Sequence, residues 1–128
     1  MPDIADGQLD DVLALAREVS REAGAMIAAG RRAGVGVTST KSSPVDVVTE
    51  LDTASERMIR EAVRAARPKD GILGEEYGLE PGTSGLTWVV DPIDGTVNFL
   101  YGIPFYAVSI AVAVGEPGDP DSWRNVAG

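Results

Sequence analysis

The sequence predicts an α/β fold of the layered α+β kind, with two long helices packed on a mixed β-sheet. Three observations carry that expectation. Apolar residues recur at three- and four-residue steps through two stretches of the first half. Short runs rich in β-branched residues fill the second half. Glycine and proline punctuate the passages between them.

The first helical stretch is marked by Leu9, Val12, Leu13, Ala16, Val19, Ala23, Met26 and Ile27, and should run over residues 10–29 until Gly30 stops it. Over residues 31–44 the pattern gives way to glycine, serine and threonine. A connection of that length reads as mobile, of the kind that serves as a lid or stays disordered. A second helix is expected from near Thr49, carried by Leu51, Met58, Ile59, Ala62, Val63 and Ala66 and ended by Pro68.

Ile72-Leu73 reads as a short strand leading to Glu75, and residues 77–85 as a loop. Strands are expected over residues 86–91 and 106–114, with a short helix starting near Thr96 between them and Gly102 and Pro104 closing that helix off. Residues 115–121 form a turn cluster, and residues 122–127 read as the start of a returning strand. The chain stops at Gly128 with no capping or polar tail, which leaves the edge of that strand's partner open and suggests a fragment.

Composition narrows the chemistry. The 128 residues, 44% of them hydrophobic, suffice for one domain with a core. Eleven basic against 20 acidic residues give a formal charge of −9, which argues against direct nucleic-acid binding. There is no cysteine and no histidine, so a metal would sit among hard oxygen ligands, as Mg²⁺, Mn²⁺ or Ca²⁺ does. The acidic start lacks the features of a signal peptide, and residues 107–114 are too few to span a membrane, so a cytoplasmic protein with no membrane partner is expected.

The most informative run is Trp88-Val89-Val90-Asp91-Pro92-Ile93-Asp94-Gly95-Thr96-Val97-Asn98-Phe99. A strand delivers Asp91 at its carboxyl end, and Pro92 removes a backbone donor so that the ladder should stop there. Gly95 permits a positive φ or a close backbone approach, and Thr96 opens a helix whose first N–H groups are unpaired. Two carboxylates beside such a helix start suit divalent cations together with a phosphate. A plain strand–turn–helix junction with Asp94 as its cap accounts for part of this run, but not for the second aspartate or for Glu75-Glu76 upstream.

Glu75 and Glu76 taken alone are an exposed acidic loop. At the end of a neighbouring strand, however, Glu75 can converge with Asp91 and Asp94, and three carboxylates with a carbonyl and water satisfy octahedral Mg²⁺. Two such ions can divide the work, one acidifying the attacking water and one stabilising the leaving oxygen. Thr49 with Asp52 resembles a capping box, which is a sufficient local explanation; the functional alternative makes Asp52 an acceptor for the Thr96 hydroxyl. Lys41 reads either as a solvated loop lysine or as a phosphate contact on the lid.

The order of these pieces is specific. Lys41-Ser42-Ser43-Pro44, then Asp46-x-Val48-Thr49-x-x-Asp52, then Gly74-Glu75-Glu76, then Trp88-Val89-x-Asp91-Pro92-Ile93-Asp94-Gly95-Thr96-x-Asn98-Phe99 resembles the inositol monophosphatase family from about Lys41 onward. Val97-Asn98-Phe99, Gly102-Ile103-Pro104 and Ala107-Val108-Ser109-Ile110 look more like the inositol branch than the sulfur-nucleotide phosphatases.

The resemblance implies a layered α/β/α/β/α sandwich of the sugar phosphatase type and hydrolysis of inositol monophosphate to myo-inositol and phosphate. Two or three Mg²⁺ ions would be held by Glu75, Asp91, the Ile93 carbonyl and Asp94. The phosphate would be met by Gly95 and Thr96, alongside Glu75, Asp94 and Lys41, and water would be activated by Thr96, Asp52 and Glu75. It also implies lithium-sensitive homodimers, with histidinol phosphate or another sugar phosphate as alternative substrates. A non-catalytic protein-binding role in a transcription complex is the alternative from another class.

One departure matters. The family carries a downstream Trp-Asp-x-Ala motif, whereas Trp123 is followed by Arg124. Residues 1–128 are therefore expected to be the amino-terminal metal- and phosphate-binding portion of a phosphatase domain, without its carboxy-terminal substrate-binding half.

Overall fold

The computed structural model describes residues 4–34 and 44–128. Helices α1 (Asp6–Gly34) and α2 (Pro44–Ala66) precede a sheet of β1 (Gly71–Gly74), β2 (Gly78–Glu80), β3 (Leu86–Asp94), β4 (Ala107–Val114) and β5 (Arg124–Ala127), with α3 (Thr96–Tyr101) between β3 and β4. The strand order is β2-β1-β3-β4-β5. Only β1 and β3 run parallel; the other neighbours are antiparallel, so the sheet is mixed, as expected.

One face of the sheet carries the core. Ile72 of β1, Leu86, Trp88 and Val90 of β3, and Val112 and Val114 of β4 alternate along their strands and meet Val12, Ala16, Val19 and Ala23 of α1 and Ile59 and Val63 of α2. Period two thus faces period 3.6 across a single apolar layer. A second cluster of Ile27, Val48, Ile93 and Phe99 packs α3 under the helix pair, and the Phe99 and Tyr106 rings meet edge to face at 4.7 Å.

Four expectations are corrected. Helix α1 does not stop at Gly30 but continues to Gly34. A Cβ at Gly30 would lie 2.3 Å from the Leu51 side chain, so this glycine admits α2 against α1 rather than ending a helix. Helix α2 starts at Pro44, not near Thr49, with proline in the first turn where its missing N–H is harmless. The loop expected over residues 77–85 contains β2, three residues held by their pairing with β1 rather than by any intrinsic preference.

Pro92 does not end its strand either. β3 continues to Asp94, but its pairing with β4 shifts between Asp91 and Asp94, so the lost donor is absorbed as an irregularity. Residues 35–43, including Lys41 and most of the connection read as a lid, lie outside the described residues. Among the described residues, no helix is long and apolar enough to cross a membrane.

Candidate functional site

Parallel pairing sets the site. β1 and β3 are in register from Gly71↔Thr87 to Gly74↔Val90, so the residues that follow each strand's last partner, Glu75 and Asp91, emerge side by side. Both line a cavity of about 370 Å³ with Gly74, Val89 and Ser109. Asp91 is one of the groups that hold the Glu75 carboxyl above its ordinary range.

Asp52 comes from α2. Because that helix begins eight residues earlier, Thr49 is no N-cap, and the capping-box explanation of Thr49 and Asp52 falls away. Asp52 is a mid-helix carboxylate only 8% exposed, and its Oδ1 has no hydrogen-bond partner. Burial, followed by the charges of Glu76, Asp91, Glu75 and Glu56, pushes its carboxyl up to about 7. Burial also raises Glu75, aided by Asp91, and raises Asp91, aided by Asp94. A backbone hydrogen bond from Ile93 pulls Asp91 the other way. Asp91 Oδ1 is buried without a partner.

Gly95 sits at φ 84° before α3, fulfilling the expectation of a positive φ, and a Cβ there would lie 2.8 Å from the Phe105 carbonyl oxygen. The Asn98 side chain donates to that same oxygen at 2.9 Å, which stitches α3 to the approach of β4. Asp94 and Gly95 border a neighbouring cavity of about 470 Å³. The Thr96 hydroxyl donates to the Ile93 carbonyl at 3.0 Å, and that carbonyl retains a second lone pair. In this arrangement Thr96 does not reach Asp52, the acceptor expected for it.

The structure therefore couples Asp52 to Glu75 and Asp91, and Asp91 to Asp94, and places Ile93, Gly95 and Thr96 beside Asp91 and Asp94. Among the described residues, no three acids are already gathered around one point as a cation cage. The donor set still fits a hard divalent cation. Like charges that raise their neighbours and unpartnered buried carboxylate oxygens on Asp52 and Asp91 are both relieved by positive charge. Asp91, Glu75, Asp94 and the Ile93 carbonyl could supply the oxygens.

One residue escaped the sequence reading. Glu56 of α2 is fully buried and accepts the backbone N–H groups of Glu76 and Tyr77 at 3.0 and 2.9 Å. The available signal was Glu56 with Arg60 one helical turn on, a pair that ordinarily marks a solvated face.

Comparison with known proteins gives a consistent picture. The sequence pattern of the Inositol monophosphatase family matches residues 8–119. The inositol-1-monophosphatase SuhB of Mycobacterium tuberculosis (strain CDC 1551 / Oshkosh) is 47% identical over 116 residues, covering 79% of this chain and 40% of that protein. The Nus factor SuhB of Pasteurella multocida is 41% identical over 107 residues, covering 83% of this chain and 40% of its own length. The crystal structure of inositol monophosphatase-II from Staphylococcus aureus MSSA476 superposes with a TM-score of 0.68 at 32% identity, over 84% of this chain and 40% of that one. The chain spans about two fifths of the length of these curated relatives.

Proposed function

Because this chain belongs to the inositol monophosphatase family, we propose that it supplies the amino-terminal metal- and phosphate-binding portion of an Mg²⁺-dependent phosphomonoesterase acting on inositol monophosphate. The observation that carries this reading is the Glu75–Asp91 carboxyl pair at the ends of two parallel strands, with the buried acid Asp52 charge-coupled to both. Two or three Mg²⁺ ions, when bound, supply Lewis acidity for an in-line attack of water on phosphorus.

The chain's own residues have distinct tasks. Glu75, Asp91, Asp94 and the Ile93 carbonyl would hold the ions. The N–H groups at the start of α3, presented by Gly95 and Thr96, face the phosphate. The Thr96 hydroxyl, now on the Ile93 carbonyl, rotates to orient water, and Asp52 accepts from it. Lys41, which lies outside the described residues, is proposed as a further phosphate contact.

The complete enzyme is read as a cytoplasmic, lithium-sensitive homodimer whose alcohol-selecting residues lie beyond this stretch. Phosphate release by the complete protein from myo-inositol 1-phosphate, histidinol phosphate and fructose 1,6-bisphosphate, with and without Mg²⁺ and Li⁺, tests the assignment. Turnover of inositol phosphate that survives chelation rejects it; a preference for another ester moves the substrate and keeps the chemistry. A second reading, association with a protein complex, is favoured by the similarity to a Nus factor. A pull-down run beside the assay separates the two.

A further inference from the structure

The turn that carries Glu75 is held at every point by one ion pair from α2. At its entrance, Gly74 has no Cβ because the Glu56 carboxylate occupies that space; an added Cβ would lie 2.3 Å from Glu56 Oε1. At its middle, Oε1 accepts the Glu76 N–H at 3.0 Å and Oε2 the Tyr77 N–H at 2.9 Å. At its exit, Arg60 Nη2 donates to the Gly78 carbonyl at 2.6 Å, while Arg60 Nε holds Glu56 Oε2 at 3.0 Å. Arg60 also lies 5.7 Å from the Tyr77 ring centroid and 3.6 Å from Glu80.

A buried ion pair of this kind contributes little net stability, because desolvation offsets its attraction. Its value lies in what it fixes. Two of the bonds to the Glu56 carboxylate end on the backbone of the two residues after Glu75, so the clamp decides where that residue leaves β1. We infer that Glu56 is a positioning residue that fixes Glu75 for cation binding through the Gly74–Gly78 turn, without touching the cation, an inference that rests on the metal reading proposed above.

The test is a Mn²⁺ titration of the complete protein, followed by the paramagnetic resonance signal of free Mn²⁺, beside thermal unfolding in EDTA. Glu56→Gln keeps the volume, but its amide can no longer accept both N–H groups and Arg60. Mn²⁺ affinity should fall about 10–100-fold, the usual loss when a support of a metal ligand is removed. Arg60→Lys keeps a cation beside Glu56 and gives up the fork to Gly78, so it should lower affinity by less. Asp70→Asn breaks a buried carboxylate network with Trp88 and Ser84 away from the turn; it should lower the unfolding temperature and leave Mn²⁺ affinity unchanged.

Glu56→Gln binding Mn²⁺ as the unsubstituted chain does, while Glu75→Gln loses it, overturns the inference and leaves the metal reading standing. Glu75→Gln binding Mn²⁺ normally overturns the metal reading itself. If Glu56→Gln does not fold, Arg60→Lys decides, and unchanged affinity there overturns the inference.

Discussion

Asp91 is the residue on which most of the site's electrostatics converge, coupled to Glu75, Asp94 and Asp52 while keeping one buried oxygen without a partner. In the complete enzyme Asp91→Asn should abolish turnover at saturating Mg²⁺, because an amide cannot replace the charge; full activity would remove Asp91 from the metal site. Thr96→Ala should cost less, about 10²–10⁴-fold in kcat, the range typical of proton-transfer positioning. Asp52 makes a separate prediction without any cation. Folded, it ionises near pH 7; unfolded, near 3.8. Between those values the folded chain keeps a proton that the unfolded chain releases, so stability falls as pH rises through that window. Glu75 and Asp91, also raised, act in the same sense. Thermal unfolding in EDTA should therefore show a lower midpoint at pH of about 7.5 than at about 5; a rising profile would show that these acids are not held together.

At the scale of elements, the packing of β1 makes the sharpest demand. Gly82, in the loop after β2, lies against the backbone of residues 69–71, and a Cβ there would come within 2.4 Å of the Asp70 carbonyl carbon and the Lys69 oxygen. Backbone cannot swing aside as a side chain can, so Gly82→Ala should destabilise by about 1–3 kcal/mol or more in chemical denaturation. A loss near zero would mean that the loop is free to lift. The same contrast explains what the sequence revealed. The long helices, β3 and β4 were legible because their apolar periods are long and unmixed. Gly30 was misread because a contact glycine and a stop glycine look alike until Leu51 is seen against it. β2 was illegible because Gly-Leu-Glu has no strand pattern, and Glu56 because burial of an i,i+4 ion pair depends on where the β1–β2 turn falls. The acids Asp52, Glu75, Asp91 and Asp94 were legible as a set. Their order along the chain carried the family pattern, and the parallel β1–β3 register then placed Glu75 beside Asp91.

For the whole molecule, the question is what 128 residues can do by themselves. The matched relatives are about two and a half times the length of the shared stretch, and among the described residues no three acids already surround one point. On the proposed metal reading, a cation bound here would lack oxygens that the rest of the complete protein supplies, and losing a cation from the leaving oxygen would remove several kcal/mol of transition-state stabilisation. The sheet points the same way. β5 pairs with β4 only from Val112 to Val114, so residues 107–111 of β4 have no described strand on their outer edge, and Val97, Tyr101, Ile103 and Phe105 are exposed elsewhere on the surface. Unpaired ladder groups and exposed apolar side chains each invite association with another copy. Purified alone, residues 1–128 should bind Mg²⁺ weakly, release no measurable phosphate from myo-inositol 1-phosphate and sediment as associated or expanded species. The complete protein under the same conditions should turn over as a discrete oligomer. If the 128-residue chain is monodisperse, unfolds cooperatively and matches the complete protein's turnover, then the acids on β1, β3 and α2 form a self-sufficient site, and the rest of the enzyme serves specificity alone.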